Sequence, residues 1–167
     1  MNDRYRRLLG TGLDPINALA HQPQVLEAYV DLHKRLAKWD TVEYELKELA
    51  VMAAAVRVGC AWCVDYGYWT AVMQGIPAAK IEAVPVWRDS DLFGDLERQV
   101  LGYAEAMSET PPAVSDDMVA DLLRHLTEAQ LVELTMLIAI ENQRARINAA
   151  LGLTAQGFKE QCQITIE

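Results

Sequence analysis

Histidine and cysteine are scarce in this chain, with three of each in 167 residues. His21, His33 and His125 stand far apart, and none pairs with another at the three- to five-residue spacing of a zinc ligand pair. No metal and no cofactor is therefore expected. Three cysteines, with Cys162 alone near the C-terminus, do not form the disulfide framework of a secreted domain. Positive charge is also in short supply. Fifteen Lys and Arg against 24 acids leave a net charge of -9, which repels phosphate backbones and anionic lipid, so no nucleic-acid or membrane partner is expected. Long hydrophobic runs are missing: the longest, Leu49 to Val56, falls far short of the roughly 20 apolar residues of a spanning helix. No apolar stretch follows the basic Met1-Asn2-Asp3-Arg4-Tyr5-Arg6-Arg7 segment, so no signal peptide is expected. The expected location is the cytoplasm. Strict alternation of β-branched residues is absent as well, which excludes a sheet and with it a thioredoxin-type carrier for any thiol pair.

What is present is a globular composition, 51 % hydrophobic and 23 % charged, in a length that fits a single domain over residues 1–167. Its most informative stretch is Cys60-Ala-Trp-Cys63. Thiols three residues apart at the start of a helical turn lie one above the other, with Cα atoms about 5 to 6 Å apart. That separation falls inside the window of a disulfide, so the pair can open and close without moving the backbone. A redox couple, two inert buried thiols and half of a metal site all fit the motif.

The rest reads as helices. Leu13 to Gln22 is an extended lead-in, and Pro23 opens a helix to about Trp39, with Leu26, Tyr29, Val30, His33, Leu36 and Ala37 on its apolar face. Asp40 with Glu43 forms a capping box for a helix from Thr41 to Val58. Gly59 loosens the chain before a helix from Cys60 to Gln74 that Gly75 ends. A short helix restarts at Ile76-Pro77-Ala78 and stops at Pro85, and Trp87 to Asp91 is loop. Leu92 to Met107 is amphipathic, Ser115 caps a helix to Arg124, and Thr127 with Gln130 boxes a long helix from Glu128 to Leu151. The fold class expected is all-α, with the thiol pair at the start of a core helix. Glu48-Leu49 with Ala54 echoes Glu133-Leu134 with Ala139, an agreement within reach of chance.

Glu48 lies twelve residues before Cys60. On one straight helix the two would be about 18 Å apart, so contact requires the chain to fold back near Gly59. Periodicity leaves two readings: a solvated glutamate beside Lys47, or a buried carboxyl able to exchange a proton with a thiol. Tyr66, three residues after Cys63, can donate to a thiolate or pack in the core. Asp65 suits the helix dipole. Trp62, Tyr68 and Trp69 surround this helix with rings. Later, Asn142 and Arg146 share a face, as do Arg144 and Asn148, and such a cluster can line a pocket, pin a subunit interface or end a solvated helix.

Glu48, the twelve-residue spacing, Cys60-x-x-Cys63 and Gly75-Ile76-Pro77 together resemble the carboxymuconolactone decarboxylase superfamily, and within it the AhpD-type alkylhydroperoxidases. The match is best from Leu46 to Val84. The resemblance implies an all-helical homo-oligomer (dimer, trimer or hexamer) that reduces peroxides with its thiols and is reset by an external dithiol. Carried over by position, Cys63 attacks the peroxide, Cys60 resolves it and Glu48 relays protons. A helix N-terminus instead favours Cys60 as the more acidic sulfur, and Cys60 is expected to be the more accessible to a reductant. Two family histidines are replaced, by Gly67 four residues after Cys63 and by Trp62 just before it. Proton delivery then falls to Glu48, alone or with Tyr66, His33 or an ordered water. The alternatives are a redox-responsive or small-molecule-binding helical oligomer without efficient turnover, and a lactone-decarboxylase-like enzyme.

Overall fold

The computed structural model describes residues 12–164, and side-chain surroundings as far as Gln161; Cys162 as a side chain and the basic segment Met1 to Arg7 lie outside that range. Nine helices follow one another within it: α1 (Asp14–Leu19), α2 (Pro23–Leu36), α3 (Tyr44–Val58), α4 (Ala61–Met73), α5 (Ala78–Glu82), α6 (Asp95–Met107), α7 (Asp116–Leu122), α8 (Glu128–Ala150) and α9 (Phe158–Ile164). A 3-10 segment, Val84–Asp89, lies between α5 and α6. No strand occurs among the described residues. The fold is all-α.

Helix α3 is the axis of the packing, with α4, α6 and α8 against it. Its alanines explain how. Ala50, Ala53, Ala54 and Ala55 are all buried and let neighbouring backbones approach closely, while Leu49 is wholly covered. Truncating Leu49 to alanine removes contacts worth about 2–5 kcal/mol. Gly59 ends α3 at φ +79°, a left-handed conformation that turns the chain back at once into α4. The fold-back brings the cysteine helix alongside α3.

Local signals set several boundaries. Ser115 accepts from the Met118 N–H at the start of α7, and Thr127 and Gln130 form a reciprocal box at α8. Elsewhere tertiary contacts override them. Residues 14–19 are helical rather than extended, and residues 87–89 belong to the 3-10 segment rather than to a loop. Helix α2 stops at Leu36, short of Trp39, and α6 starts at Asp95 rather than Leu92. The box expected from Asp40 and Glu43 does not form: α3 starts at Tyr44, and Glu43 makes no side-chain cap. Instead the buried Glu133 carboxylate, reaching over from α8, accepts from the Thr41 hydroxyl at 2.6 Å, the Thr41 N–H at 3.1 Å and the Val42 N–H at 3.4 Å. Burial pushes the Glu133 carboxyl up, but these donors and Lys47 outweigh it and hold the group below its ordinary value.

Candidate functional site

Cys60 is the N-cap of α4, and its sulfur accepts from the Cys63 N–H at 3.2 Å. Cys63 is therefore in the first turn, where unpaired backbone N–H groups concentrate positive potential. The two sulfurs are joined as a disulfide, with Cα atoms 5.2 Å apart. Both residues are buried, Cys60 at 4 % exposure and Cys63 at 8 %, so Cys60 is the more covered of the two, contrary to expectation. The cause is α8, whose Ala145 packs against the pair and whose Asn148 amide points at it. Asn148 Nδ2 lies 3.4 Å from Cys63 Sγ and 3.6 Å from Cys60 Sγ. Among the described residues, no group of three or more His, Cys, Asp or Glu is placed to hold a metal ion.

Cys63, not Cys60, lines a cavity of about 520 Å³. The cavity opens between α2, α3, α4 and α8. Glu48 from α3 shares its wall with Cys63, as do His33 from α2, Tyr66 from α4, and Glu141 and Arg144 from α8. Burial pushes the Glu48 carboxyl above its ordinary range, against the pull of a hydrogen bond from Tyr44 and the charges of Arg144 and Lys47. Tyr44 is pushed up in turn by burial and by Glu48. Glu141 is only 2 % exposed, and its carboxyl is pushed up to about 7 by burial, opposed by Arg144 and reinforced by the charge of Glu48. Arg144 Nε stands 3.2 Å from Glu141 Oε2. His33 donates from Nδ1 to the Tyr29 carbonyl at 2.8 Å. That bond fixes the proton on Nδ1 and leaves Nε2 a bare acceptor. Burial lowers the His33 imidazole, against the bond to Tyr29 and with help from Arg144, so the ring is neutral near pH 7.

Rings form the other wall. Trp62 stacks on Tyr66 with centroids 4.8 Å apart, Tyr66 tilts against Trp69 at 5.6 Å, and Phe158 from α9 meets all three. The Trp62 N–H is committed to Gln156 Oε1 at 2.7 Å, so this residue offers the cavity a ring face rather than a proton. Asp65 turns away from the cavity. Its two oxygens accept four backbone N–H groups, from Gln156, Gly157, Phe158 and Lys159, at 2.8–3.1 Å. It caps α9 and so holds Phe158 against the rings. Gly67 faces α3: a Cβ there would lie 3.2 Å from Met52 Cε.

The structure thus brings Cys63, Glu48, Tyr66, His33 and Trp62 to one cavity. It does not bring Asn142 and Arg146 there. Asn142 donates to Ser108 Oγ at 2.9 Å, and Arg146 bonds Asn142 Oδ1 at 2.6 Å and Thr110 Oγ1 at 3.1 Å, tying α8 to the end of α6. The α8 side chains that reach the cavity or the thiol pair are Glu141, Arg144 and Asn148. With Leu137 they recur at spacings of four, three and four, one face of a helix, and that pattern was the signal available in the sequence. The echo of Glu48 in Glu133 does not carry over to position: one faces the cavity and the other holds Thr41 and Val42 in the segment before α3.

Comparison with known proteins gives the family and the fold. The sequence model of the carboxymuconolactone decarboxylase family matches residues 23–106. The chain is 35 % identical over 158 residues to the uncharacterized protein YnjA of Escherichia coli (strain K12), covering 92 % of this chain and 85 % of that protein. Among solved structures, a variant of the debrominase Bmp8 in complex with 2,3,4-tribromopyrrole superposes with a TM-score of 0.83 at 23 % identity, over 97 % of this chain and 87 % of that one. ATU0492 of Agrobacterium tumefaciens, a protein of unknown function suggested to be an antioxidant defence protein AhpD, gives 0.77 at 24 % identity, over 83 % and 95 %. At these identities the structural likeness establishes a common fold. The chain belongs to the carboxymuconolactone decarboxylase family, with an AhpD-like fold.

Proposed function

We propose that this member of the carboxymuconolactone decarboxylase family is a thiol-dependent peroxidase that cycles Cys60 and Cys63 between dithiol and disulfide. The observation that carries the reading is the shared wall: the sulfur-bearing Cys63 and the half-buried Glu48 carboxyl border one cavity of substrate size. In the reaction the Cys63 thiolate attacks the terminal oxygen of an alkyl hydroperoxide. The O–O bond breaks, Cys63 becomes a sulfenic acid, and the alkoxide takes a proton from Glu48 and leaves as alcohol. The Cys60 thiol then condenses with the sulfenic acid, releasing water and forming the disulfide. An external dithiol returns two electrons and two protons to restore both thiols. Asn148 supports the thiolate by donating to it, and the α4 N-terminus lowers its cost further. Cys63 is the attacking sulfur because it is the one on the cavity; the buried Cys60 resolves. Exposed apolar side chains such as Val132 and Met136, one turn apart on α8, support assembly of several copies, and light scattering should give a multiple of 18.7 kDa.

The roles are separable. Reduced Cys60→Ser protein treated with peroxide should stop at a sulfenic acid on residue 63, captured by dimedone and seen by mass spectrometry. Reduced Cys63→Ser should consume no peroxide faster than free cysteine. Capture on Cys60 instead would reverse the assignment. A second reading rests on the ring wall of Trp62, Tyr66 and Trp69. A flat halogenated aromatic could stack there and be reduced by the same dithiol, losing halide as the disulfide forms; Bmp8, which shares the fold, is a debrominase crystallised with a bromopyrrole.

A further inference from the structure

The charge inventory of the cavity wall does not close. Glu48 and Glu141 are two carboxyls on facing helices, α3 and α8. The charged and titratable groups around them are Tyr29 and His33 on α2, Tyr44 and Lys47 on α3, Tyr66 on α4 and Arg144 on α8. Lys47 is already engaged, donating to the Trp39 carbonyl at 2.7 Å and lying 3.6 Å from Glu133. His33 is neutral for the reasons given above, and tyrosines carry no charge near pH 7. One guanidinium therefore serves two carboxyls. Its Nε lies 3.2 Å from Glu141 Oε2 as an ion pair but makes no hydrogen bond, and Oε1 of the same carboxyl is buried without a hydrogen-bond partner. A buried, ionised carboxylate with an orphan oxygen is costly.

We propose that the missing positive charge is one proton carried by the Glu48 and Glu141 pair on the cavity wall, and that Glu141 is thereby a second member of the proton relay, working through Glu48 in place of the absent imidazole. Two carboxyls sharing one proton offer an acid and a base at the same pH. Glu48, ionised while Glu141 keeps the pair's proton, takes the Cys63 thiol proton as the thiolate forms. It then gives that proton to the departing alkoxide, so the pair ends each oxidation with the one proton it began with. This inference rests on the peroxidase reading for its role, but the shared proton does not depend on it. The upward displacement of both carboxyls agrees with it. Glu141 is a positioning residue here, since it acts on the reacting atoms only through Glu48.

The test uses the reduced full chain and two readouts. Infrared difference spectra across neutral pH should show the C=O stretch of a protonated carboxyl group. Glu141→Gln should abolish that band at neutral pH, because Glu48 then has Arg144 to itself, and Glu48→Gln should diminish it by removing the Glu48 charge from beside Glu141. In single-turnover peroxide reactions Glu141→Gln should move the alkaline limb of the rate profile down by roughly one pH unit, a loss of about tenfold above neutrality, and Glu141→Asp should restore it. If Glu141→Gln does not fold, Glu48→Gln, at a less buried position, carries the infrared test alone. A carboxyl band undiminished in either variant overturns the shared proton. A band that behaves as described in a protein that consumes no peroxide keeps the shared proton and sinks only the peroxidase reading; a band lost without any shift of the rate profile overturns the relay.

Discussion

Asn148→Ala tests the electrostatics of the thiol pair directly. The Asn148 amide is aimed at both sulfurs, at 3.4 and 3.6 Å, from a buried position. Once the disulfide is reduced, that donor supports the Cys63 thiolate with a hydrogen bond to a charged acceptor, worth about 1.5–3 kcal/mol in a typical case. Both contacts are long and sulfur is a diffuse acceptor, so the lower end applies. At about 1.4 kcal/mol per pKa unit, removing the amide should raise the Cys63 thiol by roughly one unit. Alkylation of reduced protein by iodoacetamide, followed against pH at residue 63, reads that shift. The same loss destabilises the reduced form and should lower the reduction potential by about 30 mV where Cys63 is ionised, measured against a glutathione buffer. An alkylation profile that does not move, in a variant of normal helicity, would show that the amide supports packing and not the thiolate.

Glu48→Gln keeps shape and hydrogen-bonding capacity but removes the acid, and should slow peroxide oxidation of the thiols on the order of 10²-fold in stopped-flow measurements while the fold is retained. Gly67→His should fold, because the atom its Cβ meets is the flexible end of Met52; a ring so placed beside the cavity should make Cys63 more readily alkylated at neutral pH. No gain in reactivity would mean that this chain does not use the family's imidazole relay. Asp65→Ala strips four backbone donors of their acceptor and should destabilise the protein by roughly 2–3 kcal/mol in urea unfolding. It should also release Phe158 from the ring wall, visible as a change in tryptophan fluorescence.

Elements whose signals are local were legible in the sequence. Ser115, the Thr127–Gln130 box and the turn at Gly59 all act within a few residues, and the structure keeps each of them. The cysteine helix starts where the thiol spacing puts it. Features set by distant contacts were not legible. The segment before α3 is held by a carboxylate 92 residues away, where the nearer Asp40 and Glu43 had suggested a local box. Helix α9 and its cap depend on Asp65, whose sequence position suggests service only to its own helix dipole. The same limit applied to the site. Polar residues clustered on α8 were visible, but choosing Glu141, Arg144 and Asn148 over Asn142 and Arg146 required knowing which face of α8 meets α3 and α4. Glu48 had two readings because periodicity cannot report the volume in front of a side chain.

The central claim is that the cavity delivers peroxide to a resolving dithiol. Fully reduced protein mixed with one equivalent of an alkyl hydroperoxide, with free thiols counted over time and the products mapped by peptide mass, tests it in a single experiment. The account predicts rapid loss of two thiols per chain, a Cys60–Cys63 linkage, one equivalent of alcohol, and recovery of both thiols on adding a dithiol. Thiols that disappear no faster than free cysteine, or a loss that does not link Cys60 to Cys63, would contradict it.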